Sequence, residues 1–130
     1  MSERVLERVS VVLALVVLAG CAKPATLADH VHAAAEQQKP LVVEFYADWC
    51  APCRKIDAHV LTLMQKRSDI AVRKVNVVSW ETPIAARLTG WKVGKLPHVV
   101  VYGKDGKQVK AITGFDLAAL DKAIAAGGAR

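Results

Sequence analysis

Cysteine is scarce in this chain. Three cysteines in 130 residues are too few for the disulfide framework that staples a small loop-rich fold. Basic charge is not gathered either: the formal net charge is +6, but Lys and Arg are scattered and never run five in a row. Recognition of nucleic acid needs a clustered basic face, so no nucleic-acid partner is expected. Attraction to anionic lipid or acidic proteins is the use left for such a surface. Long hydrophobic runs are missing as well. Val9 to Ala19 is apolar apart from Ser10, well short of the ~20 residues that a membrane-spanning helix needs. There is no internal repeat and no low-complexity tract. What remains is a length suited to one domain, with a hydrophobic content of 53% that residues 1–20 inflate.

Those first residues read as an address. Residues 1–8 are polar and carry Arg4 and Arg8, and the apolar stretch after them fits the hydrophobic region of a secretory signal peptide. It ends in Leu18-Ala19-Gly20-Cys21. This resembles the bacterial lipobox, in which small residues precede a cysteine that is lipidated and becomes the new N-terminus. The resemblance implies a lipoprotein signal peptide over 1–20, a lipidated Cys21 with a short linker over 21–25, and one domain over 26–130. It also implies a protein exported to the periplasmic face of a bacterial membrane and held there by lipid. Export places the domain where disulfides form and persist.

Local patterns order the remainder. Thr26, with Asp29 three residues on, forms a weak capping box for a helix running to about Gln37. Leu27, Val31, Ala34 and Ala35 supply its apolar stripe. Leu41 to Ala47 is apolar except for Glu44, as suits a central strand covered on both faces. A helix from Ala51 to Arg67 would bury Ile56, Val60, Leu63 and Met64. Ile70 to Val78 reads as a second strand, and Ser79 or Thr82 as the cap of a short helix ending near Gly90. Val99–Tyr102 and Gln108–Ile112 flank a loop whose Asp105-Gly106 is a hairpin signal. Asp116 caps a last helix with Leu117, Leu120 and Ile124 inward, ended by Gly127 and Gly128. This order, with a βαβ unit first and a hairpin later, predicts an α/β domain: a mixed sheet with helices on both faces.

Cys50 and Cys53 form a C-x-x-C pair at a strand-to-helix junction, the context of a redox motif. Cys50 falls at the helix N-terminus, where unpaired N–H groups and the helix dipole favour a thiolate. Cys53, one turn on, is within bonding reach and expected to be less exposed. Pro52 fits the first turn, where its missing N–H is not needed. Phe45-Tyr46-Ala47-Asp48-Trp49-Cys50-Ala51-Pro52-Cys53-Arg54-Lys55 resembles the active-site segment of the thioredoxin family, and Leu96-Pro97 and Gly114 resemble two further positions of it. The resemblance spans about residues 27–127 and implies the thioredoxin fold.

Several residue roles follow from that resemblance. Cys50 is implied as nucleophile, Cys53 as resolving thiol, and Glu44 as a buried acid that deprotonates Cys53. Lys74 is implied as the lysine beside that acid, with Arg73 as its rival. Pro97 is implied as a cis-proline facing the cysteines, with Leu96 pairing with a substrate strand. Trp49 and Pro52 complete the substrate-binding set, and Trp80 and Trp91 are core or rim. The only redox group implied is the Cys50–Cys53 disulfide, with no cofactor and no metal. Ala58 replaces a proline that kinks this helix in ordinary thioredoxins. In this the chain looks more like the C-terminal domain of the membrane thiol-disulfide interchange reductase. The Ala51-Pro52 dipeptide lacks the histidine of strong oxidants, which favours a reductase. Disulfide-containing proteins are the implied substrates, and a membrane reductase the implied electron donor. Two rivals remain: a Cu(I) module using Cys50, Cys53 and His98, since soft thiolates favour that ion, and a non-catalytic interaction domain. His98 itself is either a plain strand residue or a pH-sensitive neighbour of the thiols.

Overall fold

The computed structural model describes residues 26–81 and 93–129. The expected signal peptide and linker, Cys21, the helix expected to end near Gly90 and Trp91 lie outside the described residues. The elements in chain order are α1 (Leu27–Glu36), β1 (Leu41–Tyr46), α2 (Ala51–Lys66), β2 (Ala71–Asn76), β3 (His98–Tyr102), β4 (Gln108–Thr113) and α3 (Leu117–Ala126). The strands form one sheet in the order β2-β1-β3-β4. β1 pairs parallel with β2 and antiparallel with β3, and β3 pairs antiparallel with β4. The mixed sheet expected from the sequence is therefore present.

Caps and turns start and stop these elements as their chemistry requires. The Thr26 hydroxyl accepts from the Asp29 N–H, and the Asp29 carboxylate accepts from the Thr26 N–H, a complete capping box. Asp116 caps α3 by accepting from the Ala119 N–H at 2.9 Å. The β3–β4 turn places Gly106 at a φ of 76°, a left-handed conformation that glycine adopts without steric cost.

The sheet separates two apolar layers. Val42, Val99, Val101 and Ile112 pack with Ile56 and Val60 of α2 and Leu120, Ala123 and Ile124 of α3. Leu41, Val43, Phe45 and Val100 pack on the opposite face with Ala34 of α1 and with Val77 and Val93. Burial on both faces explains why β1 is apolar without alternation. Two expectations need correction. Met64 is 50% exposed, because the inward stripe of α2 runs through Cys53, Ile56 and Val60 and Leu63 takes the next partly buried place. The second strand is also shorter than Ile70–Val78. Val78 has a φ of 62°, which breaks the extended backbone after β2.

Candidate functional site

The topology brings the motif residues to one end of the sheet. That end holds the carboxyl ends of β1, β2 and β4 and the amino end of β3. Cys50 follows β1 and is the N-cap of α2, with no side chain capping the helix. The first-turn N–H groups of α2 are thus left pointing at the Cys50 position, an arrangement that stabilises negative charge on sulfur. Cys50 and Cys53 are joined as a disulfide with Cα atoms 5.3 Å apart. In this oxidised form both are buried, Cys50 at 5% exposure and Cys53 at 2%. They pack with Ala47 and against Tyr46 and Leu96. Ala51 and Pro52 are exposed beside them.

The surrounding loops are tied to this corner by backbone hydrogen bonds. The Leu96–Pro97 peptide is cis, and the Pro97 carbonyl accepts from the Gly114 N–H at 2.9 Å. The exposed indole of Trp49 donates from Nε1 to the Val78 carbonyl at 2.6 Å. Val78 in turn donates its N–H to Asn76 Oδ1 at 2.9 Å. Exposed Phe115 follows Gly114, and Lys55 Nζ lies 5.5 Å from its ring centroid. Trp80 is exposed as well and is not part of the core.

Glu44, in the strand that leads to Cys50, has 0% exposure. Neither of its carboxylate oxygens has a hydrogen-bond partner among the described residues. Burial, with the Asp57 carboxylate adding to it, raises its pKa from 4.5 to about 7, and Lys74 offsets this only in part. Lys74 is the register partner of Glu44 on β2, yet its ammonium is bonded to Asp57 of α2. Arg73 donates to His30 Nδ1 at 2.9 Å instead, which decides between the two basic residues. Burial alone would lower the Lys74 pKa, but the Asp57 hydrogen bond and charge hold it above its ordinary value.

Asp57 was not anticipated. The signal available was its position four residues after Cys53, which puts both on one helix face. His98 lies on the other side of the sheet from Glu44. Its ring centroid is 5.9 Å from that of Phe45, and its Nδ1 is 2.9 Å from Thr113 Oγ1. Burial lowers its pKa. Among the described residues no three His, Cys, Asp or Glu side chains are grouped to hold a metal ion.

A dithiol pair at a helix N-terminus, beside a mixed sheet and covered by two helical layers, defines a thiol-disulfide oxidoreductase. A family model described as thioredoxin matches residues 22–126. The mitochondrial thioredoxin-3 of Saccharomyces cerevisiae is 36% identical over 89 residues, 68% of this chain and 66% of that protein. Thioredoxin H-type 1 of Nicotiana tabacum is 31% identical over 105 residues, covering 81% of this chain and 79% of the relative. The X-ray structure of Fasciola hepatica thioredoxin superposes with a TM-score of 0.61 at 30% identity, over 79% of this chain and 95% of that one. The chain belongs to the thioredoxin family.

Proposed function

We propose that this thiol-disulfide oxidoreductase is an exported lipoprotein that reduces disulfides of exported or membrane proteins. One observation carries the chemistry: the Cys50–Cys53 disulfide stands at the N-terminus of α2, and Glu44, on the strand that leads into it, is buried with no hydrogen bond to its oxygens among the described residues. In the reduced protein the Cys50 thiolate attacks one sulfur of a substrate disulfide, and the other substrate sulfur leaves and takes up a proton. Glu44, ionised, accepts the Cys53 proton, and Cys53 then attacks the Cys50 sulfur. The second substrate sulfur leaves, and the Cys50–Cys53 disulfide remains. Two electrons have passed to the substrate, so a membrane reductase must return two. Trp49, Pro52, Leu96 and Pro97 would form the surface on which the substrate segment lies.

The lipobox ending in Cys21 supports the location. Only Ala22 to Ala25 separate Cys21 from Thr26. At about 3.3–3.6 Å per extended residue the tether spans on the order of 15 Å, which keeps the domain close to the bilayer. Ala58 in place of the kinking proline, within an α2 that is one helix from Ala51 to Lys66, supports likeness to the periplasmic domain of a membrane thiol reductase. Cys53→Ser should accumulate mixed disulfides on Cys50 with exported proteins; trapping none would sink the reductase reading. Cys21→Ser should move the protein from the membrane fraction to the soluble one with its insulin reduction intact. A wild-type protein that is soluble and takes up no labelled fatty acid would remove the anchor and leave the chemistry.

A further inference from the structure

Three charged side chains from β1, β2 and α2 converge, the carboxylates of Glu44 and Asp57 and the ammonium of Lys74. Lys74 stands beside Glu44 in the parallel β1–β2 register, on the same face of the sheet. Its hydrogen bond nevertheless goes to Asp57, from the helix that carries the cysteines. The Lys74–Asp57 pair is partly open to water, with side chains 26% and 32% exposed. Glu44 is wholly enclosed and its oxygens have no hydrogen bond among the described residues. The cation therefore serves the carboxylate that needs it less.

We propose that Asp57 is a positioning residue for the redox reaction: by engaging the Lys74 ammonium it draws that charge away from Glu44 and holds Glu44 ready to take and release a proton. This rests on the proposed role of Glu44 as proton acceptor for Cys53. With all three groups charged, the cluster carries a net negative charge next to a fully buried carboxylate. Protonating Glu44 removes that excess, and a like charge nearby disfavours the ionised form. Among the described residues the other neighbours do not compensate. Tyr46 flanks Glu44 on its own strand, with Lys74 Nζ 4.7 Å from its ring centroid. From α2 the cluster on this face receives Cys53, Ile56 and Val60 besides Asp57, and from β3 the register partner is Val99. The α3 residues packed on this layer, Leu117, Leu120, Ala123 and Ile124, carry no charge. His98 faces the opposite layer with Phe45.

Without the Asp57 charge, Glu44 is the carboxylate among the described residues that still acts on Lys74, and the proton affinity of Glu44 falls. Without Lys74 it rises. A merely structural pair would move neither quantity, or both in one direction. The test is a carbon-13 NMR titration of the Glu44 carboxyl in the oxidised full-length protein, for wild type, Asp57→Asn and Lys74→Met. Single-turnover release of thionitrobenzoate from the Cys50 mixed disulfide is followed across the same pH range. Asp57→Asn should lower the Glu44 midpoint by at least about one pH unit, tenfold in proton affinity. The rising limb of Cys53 attack should move down with it, and Lys74→Met should move both up. An unchanged or raised midpoint in Asp57→Asn overturns the inference, as does a lowered one in Lys74→Met. If the midpoints move as expected while the release rate ignores them, the proton-acceptor reading fails and the electrostatic arrangement stands. If the rate follows Glu44 but Asp57→Asn shifts nothing, the inference fails and the function stands.

Discussion

Replacing Glu44 by glutamine should remove most of the pH dependence of stability between pH 4.5 and about 7 and leave the variant the more stable protein above that window. Most carboxylates in folded proteins titrate below their unfolded value, but Glu44 titrates above it, at about 7 against 4.5, because burial disfavours its charge. Between these two values the native state binds more protons than the unfolded chain, so stability falls as pH rises. Its contribution is fully present below pH 4.5 and is lost as pH rises through about 7. At about 1.4 kcal/mol per pKa unit, the loss comes to about 3 kcal/mol. That is a large share of the 5–15 kcal/mol typical of a domain. Glutamine keeps the shape and cannot ionise, so its curve lacks this slope. His98 opposes the trend in both proteins: burial lowers its pKa, so stability is lost as pH falls below about 6.5. Subtracting the two curves cancels it. The assay is urea unfolding of oxidised wild type and Glu44→Gln at intervals from pH 4 to 8. For a small domain about 3 kcal/mol moves the urea midpoint by about 1–3 M. Parallel curves would refute the reasoning, because they would mean that Glu44 titrates alike in both states.

Three other outcomes are expected. In the reduced protein Cys50 should alkylate well before Cys53 at pH 6.5, since a helix N-terminus favours the thiolate and lowers the pKa of a thiol placed there; faster labelling of Cys53 in single-cysteine variants would reverse the roles. Val78→Gly should stabilise by about 1 kcal/mol, because a β-branched residue at a φ of 62° costs about 1–3 kcal/mol while the added freedom of glycine in the unfolded chain returns about 0.4–1 kcal/mol. A lower thermal midpoint for that variant would show that the Val78 side chain packs better than its 55% exposure suggests. Thr26→Ala opens the capping box of α1 and should cost about 1 kcal/mol, read from thermal unfolding; an unchanged midpoint would mean that α1 is held by its packing alone.

Much of the fold was legible because its signals are local. A cap acts over three residues, as Thr26 and Asp29 do, and a hairpin turn over two or three, as Asp105 and Gly106 do. The apolar run of β1 requires cover on both faces whatever supplies it. A C-x-x-C at the end of such a strand likewise places two sulfurs one helical turn apart. Amphipathic spacing is a softer guide, because at about 3.6 residues per turn two successive positions can both fall near one inward stripe; here Leu63 takes the packing and Met64 lies outside.

The chain sequence by itself thus determined the order of elements, the dithiol at a helix start and the awkward presence of an acid in a buried strand. Tertiary structure alone decided what that acid meets. Lys74 chooses Asp57 across 17 positions of sequence, Arg73 turns to His30 across 43, and Trp49 is fastened to Val78 across 29. These choices depend on which side chains the sheet and helices bring to one corner, and on how much water reaches each. Burial and long-range electrostatics are properties of the packed whole, so no window of the sequence contains them.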